Sequence, residues 1–150
     1  MPKKIRLGIL GGGGDSLIGV LHRVASFIND NYEIVGAVFN PDHEQSIDFA
    51  KEIDIPTNRI YKDFDTLIAE EMKLPEDERI QVCSILTPNF LHFPMAKKLL
   101  DNGFHVICEK PIVLNPCNID ALQEMERDTG RNVHTILQLR LHPSIIALRN

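Results

Sequence analysis

A chain of 150 residues, 43% hydrophobic and 25% charged, is long enough to bury one sizeable core and short for a two-domain enzyme. Its net charge of −5 argues against nucleic acid or an anionic membrane as the main partner, because both reward a basic face. Cys83, Cys108 and Cys117 are odd in number and form no close pair, which speaks against a disulfide framework or a C-x-x-C metal or redox site and for a reducing cytoplasm. The N-terminal Met-Pro-Lys-Lys runs into a strand without the apolar core of a signal peptide, and no stretch reaches membrane-spanning length. The expectation is a cytoplasmic protein with no membrane partner.

Apolar runs then alternate with helical stripes. Residues 5–10 read as a buried strand, and Ile18, Leu21, Ala25 and Ile28 follow at helical spacing. Residues 33–39 form a second strand, and 46–53 a short helix with Ile47, Ala50 and Ile53 along one side. Residues 59–61 suggest a brief third strand. Phe64, Leu67, Ile68 and Met72 make the next helical stripe, which ends at Pro75 and the solvated stretch "PEDER". Residues 80–86 are a strand ending in "TPN", followed by a helix carrying Met95, Ala96, Leu99 and Leu100 that Gly103 closes. "HVICEKP" is a fifth strand and its exit. Asn115 before Pro116 predicts a helix start, Gly130 its end, residues 133–140 a sixth strand, and "PSIIALRN" a last helix.

About six strands alternating with helices make two βαβαβ halves. That is the plan of an α/β doubly wound parallel sheet, a Rossmann fold with helices on both faces and its ligand at the switch point between the two halves. Between the first strand and the first helix stand four consecutive glycines, 11–14. Gly11 and Gly13 match the first two glycines of G-x-G-x-x-G, with Gly19 as the third and Gly14-Asp15-Ser16 inserted. In that context the loop is a pyrophosphate cradle at a helix N-terminus, with Ile18 beside Gly19 among the cofactor-contacting residues. The competing reading is a mobile turn, favoured by Asp15, whose carboxylate would repel a pyrophosphate. The place of the usual ribose-binding acid holds Asn40, with Asp42 two residues on. Asn bonds a ribose hydroxyl without repelling a 2′-phosphate, so both NAD and NADP fit; no Arg beside it favours the phosphate, which tips the expectation toward NAD.

The stretch "TPNFLHFPMAKKLLDNGFHVICEKP", residues 87–111, resembles the core signature of the glucose-fructose oxidoreductase, inositol dehydrogenase and MocA (Gfo/Idh/MocA) family, with its T-P-N-x-x-H turn and E-K-P motif at the right separation. The resemblance covers essentially the whole chain. "GGGGDSLIGVLHR" is similar to the extended glycine loop of one branch, while "LQLRLHPSIIAL" is similar to the branch that oxidises position 3 of UDP-N-acetylglucosamine uronic acid. The resemblance implies that Thr87, Pro88 and Asn89 line the nicotinamide side of the cofactor, and that Glu109 and Lys110 lie beside the nicotinamide ribose. It also implies that Lys110 reaches the reacting hydroxyl of a sugar, nucleotide-sugar or polyol substrate.

His92 either orients the 87–89 turn or touches ligand, and Gln138 and Arg140, on the sixth strand, are candidates for the far rim of the cofactor. His22, His43, His105, His134 and His142 show no metal-ligand spacing and read as structural; no metal site is expected. Family members continue into an α+β domain that binds substrate, supplies an Asp/His partner and makes the oligomer interface. The expectation is therefore that residues 1–150 are the cofactor domain alone, binding NAD(P) but scarcely turning over, with a homo-oligomer for the longer protein. The alternative is a non-catalytic dinucleotide-binding module.

Overall fold

The computed structural model describes residues 3–28 and 30–149. Five strands, β1 (Ile5–Gly11), β2 (Tyr32–Val38), β3 (Val82–Leu86), β4 (His105–Cys108) and β5 (Val133–Thr135), lie in the order β2-β1-β3-β4-β5, and every pairing is parallel. Six helices connect or follow them: α1 (Leu17–Ile28), α2 (His43–Glu52), α3 (Phe64–Glu71), α4 (His92–Asp101), α5 (Asn118–Thr129) and α6 (Pro143–Leu148). The strand order reverses at β1, so the crevice between the ends of β1 and β3 is the switch point where such sheets take their ligands.

Two expected strands are shorter than the sequence suggests. Residues 57–59 form a 3₁₀ turn, and Ile60 reaches β2 only through a single bridge to Ala37 before the chain turns toward the Asp63 cap of α3. The expected sixth strand stops at Thr135, and Gln138 and Arg140 lie instead on the 3₁₀ turn Gln138–Leu141. The cause is the neighbour. β5 pairs only with β4, whose last ladder acceptor for β5 is Cys108 O, bonded by Ile136 N at 2.8 Å; three residues later comes Pro111, which has no N–H to offer. The Asn115 signal marks a turn rather than the helix start itself: its Oδ1 accepts from Cys117 N, and α5 begins three residues on.

Because strand side chains alternate, each apolar strand serves two layers. Leu10, Cys83, Ile85, Val106 and Cys108 face one way and are sealed by α3, α4 and Leu122 of α5, with Leu67, Leu99 and Leu100 fully buried. Leu7, Ile9, Ile34, Ala37 and Val82 face the other way, against Ala50 of α2. The expected apolar stripe of α1 does not face a core. Leu21 is 50% and Ile28 72% exposed, whereas the buried residues of this helix are Gly19, Arg23 and Ser26. That stripe borders a groove of about 490 Å³ over the uncovered half of the second face, walled by Leu7, Ile18, Leu21, Ile107 and Ile136.

Candidate functional site

β1 delivers the chain into Gly11 (φ 85°) and Gly12 (φ 70°), a left-handed path that side-chain-bearing residues rarely follow. A Cβ on Gly19 would sit 1.9 Å from the Gly12 carbonyl oxygen, so α1 starts closer to the loop than any larger residue allows. Gly13 N donates to Phe39 O at 3.3 Å, and a Cβ there would meet the same oxygen at 2.9 Å, so the end of β2 presses on the loop from the side. Arg23 Nη1 donates to Gly12 O at 2.7 Å while its guanidinium lies over the Phe49 ring, and Gly19 N donates to Ser16 Oγ at 3.1 Å. These contacts make a closely packed turn. Of the inserted residues, Asp15 is exposed and a Cβ on Gly14 would meet nothing within 4 Å, so Asp15 need not stand against a bound anion. A close-packed glycine turn opening a helix N-terminus is the cradle that a dinucleotide pyrophosphate requires, and these residues fit that group.

At the end of β2, Asn40 Oδ1 accepts from Asp42 N at 3.0 Å, and Asn40 Nδ2 donates to Gln45 Oε1 at 3.2 Å. Asp42 caps α2, its Oδ1 accepting from Glu44 N and Gln45 N. Both side chains therefore stand at the rim next to the Gly13 to Phe39 contact, where an adenosine ribose would lie in this fold.

Across the switch point, Leu86 at the end of β3 packs on the loop: a Cβ on Gly12 would meet its Cδ1 at 2.7 Å. The next residues, half-buried Thr87 and exposed Pro88 and Asn89, are thus carried to the same rim as the glycines. His92, at the start of α4, is 1% exposed, and its ring is committed to backbone: Nδ1 lies 2.8 Å from Pro111 O and Nε2 2.8 Å from Thr87 O. Both contacts are hydrogen bonds only when both ring nitrogens carry a proton, since each faces an acceptor. The ring thereby lies between the T-P-N turn and the E-K-P turn, against one carbonyl of each.

Glu109 continues the β4 ladder through Glu109 N donating to Ile85 O, and its carboxylate turns into the uncovered face of the sheet. There Oε1 meets His22 Nε2 at 3.0 Å and Gln138 Nε2 at 3.0 Å, and Oε2 meets Lys110 N at 3.3 Å. His22 Nδ1 lies 2.9 Å from Ser84 Oγ. Lys110 is exposed on the rim, and Arg140 is exposed on the 3₁₀ turn beyond it. Ile18, Glu109 and Gln138 border the groove over the open face, Gly11, Gly13, Gly19 and Thr87 stand where β1 and β3 end, Asn40 follows β2, and His92 is enclosed at the start of α4. Sequence reasoning missed Gly12, His22, Arg23 and Ser84. The available signals were His22 three residues after Gly19, and a serine in the middle of the apolar strand "VCSIL".

The two thiols nearest the site are not reactive groups. Burial, with Glu109 adding to it, pushes the Cys108 thiol up to about 12, and burial raises that of Cys83 as well. Among the described residues, no group of three His, Cys, Asp or Glu side chains could hold a metal ion, and no helix is long and apolar enough to cross a membrane.

Comparison with known proteins agrees with this geometry. An uncharacterized oxidoreductase of Bacillus subtilis, YfiI, is 32% identical over 135 residues, which are 89% of this chain and 34% of the relative. The UDP-N-acetylglucosamine 3-dehydrogenase of Acidithiobacillus ferrooxidans is 29% identical over 140 residues, covering 89% of this chain and 39% of that protein. Among solved structures, the inositol dehydrogenase homolog of Azotobacter vinelandii in complex with NADH and myo-inositol superposes with a TM-score of 0.84 at 31% identity, over 90% of this chain and 35% of that one. The WlbA dehydrogenase of Thermus thermophilus in complex with NAD and UDP-GlcNAcA gives 0.82 at 31% identity, over 97% and 45%. The chain spans about a third of the length of the curated relatives it matches over most of its own. Residues 5–136 match the GFO_IDH_MocA family, described as an oxidoreductase family with an NAD-binding Rossmann fold, and the chain belongs to that family as its NAD(P)-binding domain.

Proposed function

We propose that this domain binds NAD in preference to NADP, and that in a longer protein it serves hydride transfer from a ring carbinol of a sugar, polyol or nucleotide sugar. The observation that carries the reading is the convergence of the glycine cradle, the Thr87 to Asn89 turn and the Glu109 to Pro111 turn on one rim of the switch point. Substrate class is supported by relatives named as acting on D-xylose and UDP-N-acetylglucosamine, and by the solved complexes with myo-inositol and UDP-GlcNAcA. Preference for NAD is supported by Asp42, whose carboxylate stands two residues from Asn40 and would oppose a 2′-phosphate.

Gly11, Gly13 and Gly19 hold the pyrophosphate, Asn40 faces the adenosine ribose, and Thr87, Pro88 and Asn89 line the nicotinamide side, with Gln138 and Arg140 at the far rim. Bound there, the oxidised nicotinamide supplies the acceptor for the carbinol hydrogen and its electron pair. Lys110 Nζ takes the proton released from the hydroxyl as the carbinol becomes a carbonyl, and it returns that proton in the reverse direction. The longer protein is expected in the cytoplasm as a homo-oligomer.

Calorimetric titration of the 150-residue chain with NADH, NADPH and ADP tests the binding half. Tighter binding of NADH than NADPH is expected, and no heat from either at millimolar concentration would sink the reading. In the longer protein, Lys110→Ala is expected to lower turnover by about 100-fold or more with little change in cofactor affinity. Lys110→Arg is expected to be as poor, because a guanidinium stays protonated.

A further inference from the structure

We propose that His22 is a positioning residue for the nicotinamide end of the site, acting through Glu109 on the backbone that presents Lys110. The inference rests on the proposed cofactor reading. It concerns a histidine that neither the glycine fingerprint nor the E-K-P motif contains, since His22 sits on α1 and meets β4 only in the folded chain.

The argument begins with a buried charge. The Glu109 side chain is 7% exposed, and a carboxylate so enclosed holds its place only where donors surround it. Three donors do: the ring of His22, the amide of Gln138 and the backbone N–H of Lys110. One assignment pairs every group. Ser84 is 1% exposed, and its hydroxyl donates to His22 Nδ1; the ring then carries its proton on Nε2 and donates it to Glu109 Oε1. The chain of bonds runs from the middle of β3, through α1, to the exit of β4 and the turn after β5. It links four elements that the sheet alone does not lock together at this end.

Its consequence falls on Lys110. With Glu109 held on the inner face and its ladder bond to Ile85 O intact, the backbone direction at residue 110 is set, and the lysine is delivered to the exposed rim. On the other side of Lys110, the Pro111 carbonyl is held by His92. A lysine on a strand exit would otherwise sample many backbone directions. Here both neighbours are anchored to imidazoles, the half-buried His22 on one face of the sheet and the buried His92 on the other. Preorganised support of this kind changes how well a group meets its ligand without touching that ligand itself.

The test compares a ligand that spans the rim with one that does not. NADH reaches the Lys110 end; ADP engages the glycine cradle and the β2 end alone. Wild type binds both on this reading. His22→Ala is expected to weaken NADH by about tenfold, the size of one lost hydrogen bond to a charged group, while ADP changes less than about twofold. His22→Gln, whose Nε2 can reach the Glu109 carboxylate, is expected to restore most of the loss; His22→Asn, too short to do so, is not. Should His22→Ala fold poorly, Ser84→Ala removes the hydroxyl that sets the His22 ring and is expected to give the same NADH-only loss at about threefold. Equal weakening of NADH and ADP, or unchanged NADH affinity in both variants, overturns the positioning role and leaves the cofactor reading standing. Failure of wild type to bind either ligand overturns both.

Discussion

The two faces of the sheet are finished in different ways. On one, α3, α4 and α5 cover a continuous apolar layer in which Leu67, Leu99, Leu100, Cys83 and Ile85 are fully enclosed, and its buried polar side chains are held in place, Glu71 in an ion-pair cluster and His92 against two backbone carbonyls. On the other, α2 covers only the β1 and β2 side, α1 turns Leu21, Val24 and Ile28 to solvent, and the remaining groove, apolar over most of its lining, carries Ser84, His22 and Glu109 bonded in sequence. The difference separates two tasks. The closed face supplies the free energy that keeps the sheet together, and the open face holds the groups whose positions matter at the rim.

The sharpest way to break the comparison is at Glu71, which is fully buried and accepts from Arg59 Nη2 at 2.6 Å, Tyr61 Oη at 2.5 Å and Ile80 N at 2.7 Å. Glu71→Ala strands a partly buried guanidinium and two other donors, so chemical denaturation should show a loss of about 3–5 kcal/mol. The same change should bring the Tyr61 phenol, held up to about 12 by burial and by Glu71, back toward its ordinary value in a spectrophotometric titration.

Next in size is a matched pair of leucines. Leu99→Ala on the closed face should cost about 2–5 kcal/mol, because it leaves a cavity among α4, β3 and β4. Leu21→Ala on α1, half exposed, should cost within about 0.5 kcal/mol. Urea midpoints that moved equally for both would show that the groove side is as tightly packed as the other.

A smaller effect belongs to His105, whose side chain points to the open face and whose Nδ1 accepts from Asn132 N at 3.1 Å. Burial, followed by the charges of Arg131 and His134, lowers its pKa below the ordinary histidine value. The folded state thus binds this proton less readily than the unfolded one. The contribution to stability is complete above the unfolded value of about 6.5 and declines as pH falls from there toward the lowered folded value. Melting temperatures measured from pH 8 to pH 5 should therefore fall more steeply for wild type than for His105→Gln. The smallest difference is one of local opening. Amides of α4 should exchange near the global rate and those of α6 far faster, since Ile145, Ile146 and Leu148 stay 37–82% exposed.

Local signals carried the plan of the molecule a long way. Alternation of apolar runs with helical stripes predicted each of the five strands that formed, because parallel strands buried on both faces must be apolar throughout. The glycines at 11, 13 and 19 and the T-P-N and E-K-P turns were legible because each encodes a short-range demand: a left-handed step, a close approach, a strand end. What ran out was information on neighbours. Residues 133–140 have strand character all along, yet they pair only to Ile136, since the length of β5 is set by where β4 ends and not by β5 itself. The stripe of α1 likewise predicted a core that the tertiary arrangement does not supply, because helical spacing says that a face is apolar and not what covers it.

The same division applies to the site. Sequence by itself determined which loops leave the carboxyl ends of β1, β3 and β4, and so which residues reach the rim. Only the tertiary structure decided that Glu109 turns inward to His22 and Gln138, that His92 bridges two turns instead of facing solvent, and that Arg23 holds the glycine loop from behind. Apart from His92 to Thr87, five residues away, each of these contacts joins residues from 11 to 87 positions apart, and such contacts are chosen by which donor lies within reach once the sheet has formed.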